Sequence, residues 1–218
     1  MLQETNFEKT VYLVRHGQSE GNIAAGFQAP DSPLTEKGRE QAALVAGRIA
    51  NISFDAFIVS PLPRARETAE AIMKTTGKQP EYSELFVERV KPMKIHGQPY
   101  ENEDAEKLWQ KWEQSLYTPG LRAEDGENFD DLVARADKAL DFLHNRPEKT
   151  LVVVTHGFFL RTIIARVVLG DTLTGESFRS FQTHTATENA GLSVLTFGKS
   201  YEGMSWRLWI YNDHAHLG

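Results

Sequence analysis

Residues 11–22 read V-Y-L-V-R-H-G-Q-S-E-G-N, and the way this run ends decides the fold. The first four residues, Val11–Val14, are β-branched, aromatic or large apolar, which is typical of a buried β-strand. The pattern stops at Arg15 and His16, two side chains that are costly to bury unless they are paired. Gly17 follows, and glycine allows the backbone to approach a ligand closely or to adopt a positive φ. We therefore expect a strand that presents an arginine and a histidine at its carboxyl end.

Four more runs resemble strands, and helical patterns separate most of them. The strand-like runs are Phe54–Val59, Leu151–Thr155, Leu192–Phe197 and Trp206–Tyr211, of which the last two can form a hairpin. The helical patterns cover 36–50, 64–75, 128–143 and 158–169, with Thr35 as the N-cap of the first. Strands that alternate with helices predict an α/β fold. We expect a three-layer α/β/α sandwich whose sheet is mostly parallel, with an antiparallel C-terminal strand.

The composition limits the kind of protein and its partners. With 218 residues, of which 40% are hydrophobic, the chain predicts one globular domain spanning 1–218. A net charge of −6 argues against nucleic acid and against an anionic membrane surface as partners. The absence of cysteine excludes disulfides and thiolate chemistry. Residues 1–10 lack an apolar signal-peptide core, and no apolar run reaches the length of a membrane span, so we expect a cytoplasmic protein.

Residues 86–125 fit the alternation of strands and helices least well. They begin with prolines, a histidine and a glycine, and continue with an amphipathic stretch that includes Trp109, Trp112 and Leu116. We interpret this segment, called the insertion below, as a helical cover over the sheet edge where α/β proteins bind ligands. The helical spacing of Trp109, Trp112 and Leu116 favours a packing face, and a substrate entrance is the alternative.

Three of the strand-like runs end in polar residues that are suited to one chemistry. These endings are L-V-R-H-G at 13–17, I-V-S-P-L-P-R-A-R at 58–66 and V-V-V-T-H-G at 152–157. Because the carboxyl ends of parallel strands share one sheet edge, their charged and imidazole side chains can converge; they are Arg15, His16, Arg64 and His156. Guanidinium groups bind phosphate oxygens bidentately, and a neutral imidazole can attack phosphorus. This set predicts phosphoryl transfer that needs no metal and no cofactor.

Two histidines near the C-terminus, His214 and His216, could suggest a metal site. Their spacing puts them on one side of an extended chain, but no further ligand set accompanies them. We expect no metal there.

Longer motifs around these residues resemble a known family. The motifs are L-V-R-H-G-Q-S-E-G-N at 13–22, P-L-T-E-K-G-R-E-Q-A at 33–42, S-P-L-P-R-A-R-E-T-A at 60–69, V-V-V-T-H-G at 152–157 and N-A-G-L-S-V-L at 189–195. In this order they resemble the histidine phosphatase superfamily, also called phosphoglycerate-mutase-like, and in particular its phosphatase branch. The resemblance extends over nearly the whole chain.

The resemblance implies a role for each matching residue. His16 would be the nucleophile that is phosphorylated on a ring nitrogen. The rest of the phosphate pocket would be Arg15, Arg64 and His156, with contacts from the Asn22 side chain and the Gly157 backbone N–H.

The resemblance also implies a glutamate that acts as general acid and then as general base. In S-E-L-F-V-E-R-V-K-P, at 83–92, we choose Glu88 because L-F-V-E-R is similar to the family's context, and Glu84 is the alternative. The glycine-rich continuation that is commoner in the family is replaced by Lys91-Pro92.

The expected function is a metal-independent phosphomonoester hydrolase that acts on a small phosphorylated substrate. One alternative is a phosphoglycerate mutase, but mutase relatives resemble one another in E-R-H-Y-G and F-T-G-W, where this chain has E-R-V-K-P and N-I-A-A-G-F-Q-A-P. A protein phosphohistidine phosphatase is another, although minimal versions have little insertion. A module that only binds a phosphorylated partner is the third, and such a module would not need the nucleophile.

Overall fold

A six-stranded mixed sheet forms the centre of the computed structural model, which describes residues 7–200 and 203–218. Its strands are β1 (Phe7–Arg15), β2 (Ala56–Val59), β3 (Glu81–Tyr82), β4 (Thr150–Thr155), β5 (Leu192–Ser200) and β6 (Gly203–Asp213), in the order β3-β2-β4-β1-β5-β6. The first four are parallel, whereas β5 is antiparallel to β1 and β6 is antiparallel to β5. The predicted α/β class and mostly parallel sheet are confirmed, and β5 is the strand that reverses.

Seven α-helices lie in the described part of the chain. They are α1 (Glu20–Ile23), α2 (Glu36–Ile49), α3 (Pro63–Thr76), α4 (Glu103–Gln114), α5 (Phe129–Asn145), α6 (Gly157–Leu169) and α7 (Gly175–His184). The predicted N-cap of α2 is present, because the Thr35 hydroxyl accepts a hydrogen bond from the Gly38 N–H at 3.0 Å. Among residues 7–200 and 203–218, no helix is long and apolar enough to span a membrane.

Alternate residues of the central strands point into two separate hydrophobic cores. In β4, Leu151 and Val153 pack with α5 and α6, while Val152 and Val154 pack with α2 and α3. This is the consequence of the two-residue period of a strand that is buried on both faces. The sheet therefore has helices on each side, as the three-layer prediction requires.

The insertion contains one α-helix and two short 3₁₀ turns, Glu84–Phe86 at its start and Met93–Ile95 within it. Trp112 is only 3% exposed and Leu116 is fully buried, which confirms the packing interpretation of the α4 face. Trp109 packs against Phe27, in the loop after α1, with ring centroids 5.0 Å apart. Since the Phe27 N–H also donates to the Gln98 carbonyl at 2.9 Å, the loop and the insertion are joined.

Candidate active site

The carboxyl ends of β1, β2 and β4 lie side by side, and they bring the predicted residues together. The His16 N–H donates to the Thr155 carbonyl at 3.0 Å, which continues the ladder between β1 and β4 by one residue. The His16 and His156 rings lie with their centroids 5.0 Å apart. From the start of α3, Arg64 reaches the same place, with its Nε 3.2 Å from Nε2 of His16.

Two contacts fix the protonation state of His16. Its Nδ1 lies 2.6 Å from the Gly17 carbonyl, which can only accept, so Nδ1 carries the proton. Its Nε2 faces the Arg64 Nε–H, which can only donate, so Nε2 carries a lone pair. His16 is 2% exposed, and its pKa is lowered well below the ordinary value by burial, then by the charges of Arg64 and Arg15. The result is a buried, neutral imidazole whose Nε2 is unprotonated and accepts from Arg64.

Two buried guanidinium groups lie beside this imidazole. Arg64 donates from Nη1 to the Pro30 carbonyl at 3.0 Å, and burial lowers its pKa to about 10, so it stays charged at neutral pH. Arg15 donates from Nη1 to the Thr187 carbonyl, while its buried Nε has no hydrogen-bond partner among the described residues. Two like charges and an unused donor at one place favour an anion.

His156 is the N-cap residue of α6 and is fully buried. Its Nε2 lies 2.7 Å from the Ser60 hydroxyl, which follows β2, and its Nδ1 has no partner in the described part of the chain. Burial, and then the charge of Arg64, lower its pKa well below the ordinary value. Ser60 was not predicted as a site residue, although its place directly after a strand was visible in the sequence.

The Glu88 carboxylate lies at the N-terminus of α6. It accepts from the Phe159 N–H at 3.0 Å and from the Phe158 N–H at 3.3 Å. Its negative charge raises the pKa values of Arg15 and Arg64, which burial lowers. Glu84 is exposed, and no hydrogen bond joins it to α6. Glu88 is thus held at the start of α6, whereas Glu84 lines the cavity beside Arg64 without a contact to α6.

Asn22 lies at the edge of the site and is exposed. Its Oδ1 accepts from the Ser19 N–H at 2.9 Å, and Asn189 Nδ2 lies 3.4 Å from the same oxygen. Asn189 also donates to the His16 carbonyl at 3.1 Å. Asn189 therefore connects Asn22 to the backbone of His16. Although it belongs to a motif quoted above, the sequence analysis did not select it.

The glycines that follow the two histidines make room for other atoms of the protein. Neither Gly17 nor Gly157 has a positive φ. A Cβ on Gly17 would lie 2.3 Å from the Gly38 carbonyl oxygen, and a Cβ on Gly157 would lie 2.9 Å from Nε of Arg15. Gly17 thus makes room for α2, and Gly157 makes room for a guanidinium group. The Gly157 N–H has no acceptor among the described residues, so it remains free for a ligand.

A cavity of about 180 Å³ opens between the sheet edge and the insertion. Its wall contains two side chains of the site, Arg64 and Glu88, together with charged residues that the sequence analysis did not select, Arg89 and Lys91. The cavity is therefore continuous with the site around His16.

The two C-terminal histidines bind backbone carbonyls. His214 Nδ1 lies 2.7 Å from the Asn212 carbonyl, and His216 Nε2 lies 3.0 Å from the Ala190 carbonyl. Across residues 7–200 and 203–218, no group of three or more histidines, aspartates and glutamates is arranged to hold a metal ion.

The fold and the site define a class of α/β proteins in which two histidines and two arginines meet at the carboxyl edge of the sheet. The model of the histidine phosphatase superfamily (branch 1) matches residues 11–213, and the chain belongs to this superfamily. The resemblance predicted from the motifs is confirmed.

Individual relatives carry different names. The probable phosphoglycerate mutase GpmB of Photorhabdus laumondii is 37% identical over 166 residues, which cover 72% of this chain and 74% of that protein. The alpha-ribazole phosphatase of Shigella flexneri, at 22% identity, has a similar fold with a TM-score of 0.74, over 94% of this chain and 96% of that one. A phosphoserine phosphatase variant from Entamoeba histolytica, solved with phosphoserine, is 25% identical with a TM-score of 0.71, over 96% and 99%.

Proposed function

We propose that this protein hydrolyses small phosphomonoesters without a metal, through a phosphohistidine on Nε2 of His16. The observation that carries the proposal is the fixed tautomer, in which the Gly17 carbonyl holds the proton on Nδ1 and Nε2 is unprotonated, with its lone pair facing the Arg64 Nε–H. Because the histidine pKa is lowered by burial and by Arg64, no proton competes for this lone pair at neutral pH.

In the first step, Nε2 of His16 attacks phosphorus and the bond from phosphorus to the substrate oxygen breaks. Arg15 and Arg64 bind the phosphoryl oxygens, whose negative charge is redistributed in the transition state. Glu88, protonated in this step, gives its proton to the departing alkoxide, which leaves as the alcohol.

In the second step, water replaces the alcohol. Glu88, now a carboxylate, accepts a proton from the water as its oxygen attacks phosphorus, and the bond between phosphorus and Nε2 breaks. Inorganic phosphate leaves, and Glu88 is again protonated for the next cycle. Atoms and charge balance, with one ester and one water converted to one alcohol and one phosphate.

Phosphoglycerate mutase activity is a second candidate, since relatives up to 37% identical carry that name. A mutase must return the phosphoryl group to an organic acceptor instead of water. Measuring both products from 3-phosphoglycerate separates the two reactions, because hydrolysis gives inorganic phosphate and a mutase gives 2-phosphoglycerate.

The proposed function is tested with p-nitrophenyl phosphate in the presence of EDTA. We expect hydrolysis that EDTA leaves intact and that His16→Ala lowers by at least about a thousandfold, because the nucleophile is lost. His184→Ala, which changes an exposed histidine, is the matched control. Loss of activity with EDTA would contradict the metal-free mechanism, and an active His16→Ala protein would contradict the nucleophile.

The acid is identified by comparing Glu88→Gln with Glu84→Gln. On an alkyl phosphate, whose leaving group needs a proton, Glu88→Gln is expected to lower kcat about a hundredfold. Glu84→Gln is expected to keep the wild-type pH profile. The opposite pattern would assign the acid to Glu84.

A further inference from the structure

Lys91 lies where the insertion meets the nucleophile site. Its ammonium group donates to the Gln28 carbonyl at 3.2 Å, and it faces the Trp109 ring at 5.9 Å from the centroid. Lys91 is half-buried and lines the same cavity as Arg64 and Glu88. The cation is therefore held at the cavity wall.

Lys91 and Arg64 are bound to the same short segment of backbone. Arg64 donates to the Pro30 carbonyl at 3.0 Å and Lys91 donates to the Gln28 carbonyl at 3.2 Å. Two residues of extended chain span at most about 7 Å. The two cations therefore lie near each other in the cavity wall, and the charge of Arg64 lowers the pKa of Lys91.

The two further cations in the cavity wall differ in how many of their donors the protein uses: Lys91 makes one hydrogen bond, to the Gln28 carbonyl, and Arg89 makes several. Arg89 donates to Glu113 at 3.0 Å, to the Trp112 carbonyl at 2.6 Å and to Ser115 at 3.2 Å, and it stacks on Trp112. In contrast, no carboxylate lies within 4.0 Å of the Lys91 nitrogen in the described part of the chain. Burial lowers the Lys91 pKa to about 8, although the charge of Glu88 raises it.

We propose that Lys91 binds a carboxylate on the leaving group, so that the preferred substrates are small phosphorylated carboxylic acids. This inference rests on the proposed function for its phosphate site. The single charge of Lys91 matches a carboxylate, whereas a second phosphate dianion would leave a charge unpaired in the cavity. The cavity volume of about 180 Å³ is below the roughly 300–1,000 Å³ of sites for drug-sized ligands, which fits a small acid.

Apolar side chains form part of the cavity wall and strengthen the contact between Lys91 and a carboxylate. Leu62, Val87 and Pro30 line the cavity beside the cation. An apolar surface beside the cation strengthens the attraction between an ammonium group and a carboxylate.

Two substrates that differ only in this group provide the test: 3-phosphoglycerate has a carboxylate where glycerol 3-phosphate has a hydroxymethyl group. We expect wild-type kcat/KM to favour 3-phosphoglycerate, and Lys91→Met to reduce the ratio of the two values by at least about tenfold. Phosphoserine and phosphoethanolamine form a second pair with the same difference. Lys94→Met is the matched control, because Lys94 is exposed and paired with Glu124, and its ratio is expected to equal that of the wild type.

A binding measurement separates failure of this inference from failure of the proposed function. Calorimetry measures the binding of 3-phosphoglycerate and of glycerol 3-phosphate to His16→Ala and to His16→Ala/Lys91→Met. This measurement does not depend on turnover. If the protein hydrolyses no phosphomonoester, the proposed function is wrong, and the ratio of the two Kd values alone decides the role of Lys91. A ratio that is unchanged by Lys91→Met, in kinetics or in binding, overturns the inference.

Discussion

The sheet edge and the insertion form opposite walls of the same site, and they are built by different means. At the sheet edge, His16 and Ser60 extend backbone ladders, with N–H groups 3.0 Å from the carbonyls of Thr155 and Val154. In the insertion, side-chain hydrogen bonds hold the backbone in place. The buried guanidinium of Arg89 joins residues that are far apart in sequence. The comparison teaches that the proposed phosphate site follows from the fold, whereas the cavity beside it depends on individual side chains.

At the boundary between the two walls, the Arg135 side chain also holds backbone in place. It donates to the carbonyls of Leu85 at 3.1 Å and Val87 at 2.9 Å, and it forms a bidentate ion pair with Glu127 at 2.7 Å. The segment that ends in Glu88 is therefore held in place by one side chain of α5.

Among the variants that test this contrast, the largest effect is expected from Arg64→Lys, at the sheet edge. Lysine keeps the charge but loses the planar fork and the Nε–H that faces Nε2 of His16. We expect kcat/KM for p-nitrophenyl phosphate to fall roughly 10²- to 10³-fold, as when one preorganised donor to a transition state is removed.

Arg66→Lys is the control for this variant, since Arg66 lies on the exposed side of the same helix and stacks on Tyr82. Its kcat/KM is expected to stay within about twofold of the wild type. An Arg64→Lys enzyme within tenfold of wild type would show that charge alone is enough, and the contrast between the two walls would fail.

A smaller and more selective effect is expected from Arg135→Met. Without its guanidinium the carbonyls before Glu88 lose their donors, so the carboxyl group is positioned less well for proton transfer. Relative to p-nitrophenyl phosphate, whose leaving group departs without a proton, kcat for glycerol 3-phosphate is expected to fall about tenfold.

Arg122→Met serves as the control, because Arg122 also pairs with a residue of α5. Its partner is Asp131, and this ion pair is exposed. A purely structural role for Arg135 would lower the two activities by the same factor, and that result would contradict the positioning role.

The smallest effect concerns the dependence of stability on pH. Burial lowers the His156 pKa, so below its ordinary value of about 6.5 the unfolded chain binds a proton that the folded chain does not. The free energy of unfolding therefore decreases as the pH falls, by roughly 1 kcal/mol for this histidine between pH 7 and pH 5.5. Urea unfolding of the wild type and of His156→Gln at both pH values measures this change. We expect the free energy of unfolding to depend less on pH in the variant. Equal slopes would contradict the prediction, and the exposed His184→Gln is the control.

The same contrast explains what the sequence could reveal. Four site residues were predictable because each follows a short apolar run, and because parallel strands align their carboxyl ends. They are Arg15, His16, Arg64 and His156. The choice of Glu88 over Glu84 was suggested only by resemblance, since its physical reason is the start of α6, about seventy residues later in the chain. The position of Lys91 depends on contacts with the loop after α1, and no local pattern encodes them.

Two elements were absent from the sequence analysis for a related reason. The strand β3 has two residues, both exposed, so it has no apolar alternation to detect. In α7 only Phe178 is buried, which is too sparse a pattern to indicate a helix.

The contact between Gly17 and the first turn of α2 restricts how this sequence can evolve. A Cβ on Gly17 would meet the Gly38 carbonyl oxygen at 2.3 Å, and a Cβ on Gly38 would meet the Gln18 carbonyl oxygen at 1.9 Å. Both obstacles are backbone atoms, so no compensating change in a neighbouring side chain can remove them. A double replacement would carry both clashes at once. Only a backbone shift, which would also move His16, relieves either clash, so selection on the position of the proposed nucleophile would keep both glycines.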